Sequence, residues 1–262
     1  MRRPLARAIL AALSILPVSL LAQQAPMRDP QALTILHSAL AVMGGAGAAA
    51  IQDTVTKATT FWPSNSTVSP VSSTISTKGA DRIRVDNSSG GQTVSVVYNG
   101  GRLLHSTATG WSVGPSANSR FRRVDHLPAL LLASELARGN FAATYIGQES
   151  VGSQRAVHVT LSRISSNVGN GLDAKFTKDS EIEVFIDPAT FLILKVSYIY
   201  FSKIDWRIGS PMEIYYSDYR SVGGMMVPFI QRTVFNGSPL YELHLTSVAF
   251  NQGVADTTFG VK

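Results

Sequence analysis

The sequence contains no cysteine. Disulfides, thiolate zinc sites, iron–sulfur clusters, a cysteine nucleophile and lipid attachment through cysteine are therefore excluded. Charge is sparse, with 15% of residues charged against 45% hydrophobic, which excludes a disordered chain and argues for a packed core. The five histidines, at positions 37, 105, 126, 158 and 244, have neither HxH nor HExxH spacing. No metal site is expected from them. No apolar run reaches the ~20 residues that cross a bilayer as a helix. The absence of a G-X-Y period or any sustained repeat excludes collagen-like and low-complexity chains.

What is present begins at the N-terminus. Arg2, Arg3 and Arg7 precede an apolar run over residues 8–22, the layout of a secretory signal peptide. Residues 1–22 are expected to be that signal. Residues 23–262 are then one domain, exported to a bacterial periplasm with no transmembrane span after cleavage. Loss of the three arginines takes the formal charge from +6 to +3, which gives no case for a nucleic-acid partner. The densest basic group, Arg120, Arg122 and Arg123 around Phe121, reads as a solvated loop approaching a helix.

Periodicity supplies the elements. Leu33, Leu36, Leu40 and Met43 recur at helical spacing after an Asp29-Pro30 start, and Gly44-Gly45 stops the helix. A second helix follows Pro128 through Leu136, with Asp125 or His126 as its cap and Gly139 as its stop. Most of the rest alternates with period two. Ile83 and Val85, then Val94, Val96 and Tyr98, then Ile182, Val184 and Ile186 each mark one strand face. Leu192, Leu194, Val196, Tyr198 and Tyr200 are expected on one face of another strand. Turns are expected at Asn99-Gly100, Gly223-Gly224 and Asn236-Gly237, and residues 164–179 read as an exposed loop. The count is about eleven strands and two helices. Laid flat at ~4.8 Å spacing, such a sheet would exceed 50 Å in width. Two helices cannot cover it, so the sheet must curl into a barrel, half-barrel or sandwich.

Motifs of catalysis are thin. Gly45 to Ala50 fits G-x-G-x-x-A, but a helix precedes it where a dinucleotide site needs a strand, so helix termination explains the glycines. Gly110-Trp111-Ser112-Val113-Gly114 fits the G-x-S-x-G nucleophile elbow, and Asp187 and His244 would complete a triad in the right order. A serine hydrolase acting through Ser112 is the enzymatic alternative, although the alternating α/β elements of that fold are missing. Glu181, Glu183 and Asp187 read as a solvated strand face.

The C-terminal third carries Tyr216-Ser217-Asp218-Tyr219-Arg220, then Gly223-Gly224, Val227-Pro228-Phe229 and the Asn236-Gly237 hairpin. With the opening DPQALTILHSALAVMGG and the strand VVYNGG, this pattern resembles the LolA-like superfamily of periplasmic lipoprotein-sorting proteins. The resemblance implies a mainly β fold with two or more helices: a curved antiparallel sheet forming an incomplete (half) β-barrel under a helical lid. It also implies a non-enzymatic protein, without cofactor or metal, that binds a lipoprotein acyl chain or lipid in the concave face. Binding to another envelope protein, as an interaction or sensor module, is the alternative. Leu36, Leu40, Leu130 and Leu131 are the expected lid contacts. Ile83, Val94, Val184, Leu194, Tyr198, Phe229 and Leu243 are the expected concave wall.

Overall fold

The computed structural model of the protein describes residues 28–63, 69–114, 118, 124–165, 172–201 and 208–260. The expected signal segment and the Arg120, Arg122 and Arg123 group lie outside the described residues. Helix α1 (Pro30–Met43) starts where the sequence places it: Asp29 accepts from the Gln31 N–H at 2.8 Å. It stops at Gly44, whose φ of +143° suits glycine. A single turn, α2 (Ala46–Ala49), follows the stop.

Six strands come next: β1 (Asp53–Phe61), β2 (Val71–Lys78), β3 (Arg82–Ser89), β4 (Gln92–Asn99), β5 (Arg102–Thr107) and β6 (Gly110–Val113). Helix α3 (Pro128–Leu136) then leads to β7 (Phe141–Val151) and β8 (Gln154–Arg163). After helix α4 (Leu172–Asp179) come β9 (Ile182–Ile186), β10 (Ile193–Phe201) and β11 (Gly209–Val222). The chain closes with β12 (Met225–Phe235), β13 (Ser238–Phe250) and a 3-10 turn at Asp256–Phe259. The Asn-Gly turn between β12 and β13 has φ of +49° at Asn236 and +77° at Gly237, the pair of positive angles that a tight hairpin requires.

Among the described residues, thirteen strands form one antiparallel sheet in the order β6-β5-β4-β3-β2-β1-β13-β12-β11-β10-β9-β8-β7. The sheet is not closed: β6 and β7, neighbours in sequence, are its opposite edges. The chain between these two edges carries α3, which packs on the sheet. Leu131 and Leu132 of α3, together with Leu36 and Met43 of α1, are fully buried against Val159, Ile182, Ile214 and Val227 of the sheet. The Glu135 carboxylate on α3 pairs with the buried Arg163 guanidinium at the end of β8, Nε to Oε2 at 3.0 Å. No helix among the described residues is long and apolar enough to cross a membrane.

Three sequence expectations need correction here. Residues 172–179 form α4, held by an i,i+4 ion pair from Lys175 to Asp179 at 2.7 Å; its polar composition hid it. Leu127, not Asp125 or His126, occupies the cap position of α3, without a side-chain cap bond. Leu194 does not share a face with Val196 and Tyr198. A bulge between Ile193 and Lys195 inserts one extra residue into β10, and Leu194 packs with Ala156 and Phe185 in a separate cluster outside the main core.

Candidate functional site

Where α1 and α3 do not fill the hollow of the sheet, a cavity of about 420 Å³ remains. That volume falls in the ~300–1,000 Å³ range of small-molecule sites. Eight neighbouring strands, from β4 round to β10, contribute to its wall. Laid flat, β4 and β10 would stand about 34 Å apart at ~4.8 Å per strand. Both reach one cavity, which is possible only because the sheet curls. Ile75, Val85, Val96, Met212, Ile214 and Leu243 supply aliphatic and thioether wall, and Trp62, Tyr98, Tyr198, Tyr200, Phe235 and Tyr241 supply aromatic wall.

The roof is fastened by hydrogen bonds from the strands to the segment ahead of α3. Tyr198 donates to the Asp125 carboxylate at 2.9 Å, and Tyr216 donates to the Asp125 backbone carbonyl at 2.6 Å. The Gln231 amide donates to the carbonyls of His126 (2.9 Å) and Pro228 (3.2 Å). Burial, reinforced by the Asp125 charge, pushes the Tyr216 phenol well above its ordinary value. Its proton, and hence its bond to the roof, is secure at physiological pH. A second polar group, Thr60, Ser73 and Asn87, lies in the wall across β1, β2 and β3.

Of the residues proposed from sequence, the structure places Tyr198 and Leu243 in the cavity wall. Leu36, Leu131, Ile83, Val184 and Phe229 belong to the main buried core, with Leu40 and Leu130 half-buried against it. Val94 is 57% exposed. It has the parity of Val96 and Tyr98, but its end of β4 runs past the packed interior, so it is not buried wall. The sequence reading missed Thr60, Trp62, Ser73, Asn87, Gln231 and Phe235. Parity held a signal for some of these, since Gln231, Thr233 and Phe235 follow Phe229 in steps of two along β12.

The catalytic alternative fails on geometry. Gly110–Val113 is an edge strand, not a strand-to-helix elbow, and Ser112 is exposed opposite His105. His244 lies on β13, six strands away from β6, and pairs with Glu242. His158 stacks on Phe185 and bonds Glu149 at 2.7 Å. Among the described residues no group of three His, Asp or Glu side chains is arranged to hold a metal.

No protein-family model matches the sequence, and neither does any curated protein sequence. Solved structures do match. An outer membrane lipoprotein-sorting protein domain from Vibrio parahaemolyticus aligns at a TM-score of 0.56 and 11% identity, covering 88% of this chain and 96% of that one. A LolA superfamily protein from Nitrosomonas europaea aligns at 0.53 and 12% identity, covering 87% and 97%. A DUF1329 family protein from Desulfovibrio piger aligns at 0.56 and 13% identity, again covering 87% and 97%. Together with the open curved sheet, its helical lid and the hollow between them, these likenesses establish that the chain has the LolA-like fold.

Proposed function

We propose that the protein is a non-enzymatic, exported periplasmic binding protein that holds an acyl chain, from a lipoprotein or a lipid, in the concave face of its sheet. The observation that carries this reading is the cavity. A protein whose sheet served only as a scaffold for partner binding would fill its hollow with its own side chains, and here about 420 Å³ is left. The wall is chiefly aliphatic and aromatic, suited to a chain that gains ~0.8 kcal/mol per buried CH₂. A 16-carbon chain would gain on the order of 10 kcal/mol before ordering costs. The lipoprotein-sorting description of the Vibrio structure points the same way.

The test is what the protein carries when it is made in a bacterial periplasm. Native mass spectrometry after gentle purification, followed by organic extraction, should recover acyl species in near-stoichiometric amount. Substitution of Leu243 by Asp, inside the wall, should abolish retention. Substitution of Leu194 by Ser, on the other face, should leave it intact. A protein that yields no acyl species and takes up none when offered them overturns the reading, and the interaction-module alternative would replace it.

A further inference from the structure

We propose that Asn87 is a ligand-binding residue that donates a hydrogen bond to the carbonyl oxygen of an uncharged acyl ester. The proposal rests on the acyl-binding reading above and names the ligand class for the same cavity. Three observations carry it.

The first is a directed relay. The Ser73 hydroxyl donates to Asn87 Oδ1 at 2.7 Å. Having one proton, it cannot also donate to Thr60, so the Thr60 hydroxyl, 2.6 Å away, donates to Ser73. Thr60 and Ser73 are both buried. Asn87, a residue of the cavity wall, thus turns its oxygen to Ser73 and keeps its NH₂ group for another acceptor. No described residue accepts from that NH₂ group. Two donors thus line an apolar hollow and await an acceptor.

The second observation is position. Asn87 pairs in register with Val94, which stands 57% exposed on the same stretch of sheet. The amide is therefore at the mouth of the cavity, with Ile75, Val85 and Val96 deeper in. An amphiphile entering tail first would leave its head-group linkage beside Asn87.

The third is charge. Among the described residues of the wall there is no Lys or Arg, and the one carboxylate, Asp125, accepts from Tyr198. A fatty-acid carboxylate or a phosphate at that position would find no countercharge among the described wall residues. An ester carbonyl needs only a donor, and Asn87 supplies one.

Three probes separate the possibilities: 1-monolauroylglycerol, its ether analogue 1-O-dodecylglycerol, which lacks only the carbonyl, and laurate. Each is titrated into delipidated protein at pH 8, where laurate is ionised. Binding is read by intrinsic tryptophan fluorescence, because Trp62 lies in the wall. The ester should bind about tenfold more tightly than the ether, the worth of one well-made hydrogen bond, and more tightly than laurate. Asn87→Asp keeps the Ser73 bond but replaces the donor with an oxygen. It should bring ester affinity down to that of the ether. Asn87→Ala serves if the aspartate variant does not fold. Equal ester and ether affinity in the unmodified protein overturns the role of Asn87 while leaving the acyl cavity standing, as does an ester preference that survives both variants. Laurate binding more tightly than the ester overturns the uncharged-ligand assignment. Failure of all three probes to bind overturns the cavity reading itself.

Discussion

Glu135 on α3 and Arg163 at the end of β8 provide the sharpest test of how the lid is held. Their side chains are only 3% and 10% exposed, and they meet in a two-pronged contact. Glu135→Ala removes one ion and leaves the guanidinium buried beside an apolar stub. Loss of one member of a buried pair typically costs about 3–5 kcal/mol, most of it the penalty on the stranded charge. The lower figure fits here, because Arg163 keeps slight contact with water. A loss of about 3 kcal/mol should lower the urea midpoint without changing the slope, and lower Tm by about 6–12 °C for a chain of this size. Replacing both partners, Glu135→Leu with Arg163→Met, removes both buried ions and leaves only the half-exposed Arg138 without its 3.5 Å contact to Glu135, so stability should return to within about 1 kcal/mol of the starting protein. Equilibrium urea unfolding followed by circular dichroism measures all of these values. A single-variant cost below about 1 kcal/mol, or a double variant as damaged as the single one, would show that the pair does not anchor α3.

Further outcomes follow from other contacts. Tyr216→Phe removes the hydroxyl that serves the Asp125 carbonyl and should cost about 1–3 kcal/mol, measured by the same unfolding assay; a neutral effect would mean that the roof is fastened elsewhere. Gly44→Ala places a Cβ onto the Met225 Sδ at a φ of +143° and should destabilise by about 1–3 kcal/mol, with part of the loss recovered by Met225→Ala. Hydrogen bonding from Lys78, then the charges of Lys78 and Arg82, lowers the Asp256 carboxyl below the usual range. Because the folded value lies below the unfolded one, the stabilisation is complete above about pH 4 and is lost as pH falls through the folded value. Urea midpoints between pH 5 and 2 should therefore fall less steeply for Asp256→Asn than for the unmodified protein, and parallel curves would refute the linkage.

Much of this architecture was legible in the sequence because it is periodic or locally punctuated. Asn236-Gly237 and Gly223-Gly224 turn where their backbone freedom predicts, and Asp29-Pro30 opens α1 as its chemistry demands. What periodicity cannot register is an interruption of itself. The bulge at Leu194 adds a single residue, and parity counted along β10 then assigns that side chain to the wrong face. Helix α4 escaped for a different reason: its eight residues, LDAKFTKD, are mostly polar and too few to show a clear apolar stripe. The cavity is less legible still. Asn87 and Gln231 stand on faces that parity could have identified. That they border one hollow depends on how strands distant in sequence curl together.

The strand order has a consequence for how the molecule is made. Among the described residues, eleven of the twelve strand pairings join strands adjacent in sequence, and only β1 with β13 joins the two ends of the chain. The fold is two meanders, β1–β6 and β7–β13, closed along one seam that aligns Thr54 with Phe250 and Phe61 with Glu242. The sequence-adjacent pairings close local loops, the longest of them carrying α4 between β8 and β9, whereas the seam must close one of nearly two hundred residues, an entropic cost that the local pairings do not bear. Seam formation is therefore expected to be the slow step of folding, with both meanders exposing apolar faces while they wait. The same seam runs through the wall of the cavity, where Thr60 and Trp62 of one meander stand beside Leu243 of the other. The hollow does not exist until the halves join, so the protein cannot capture a ligand there before its C-terminal strand has been synthesised and docked.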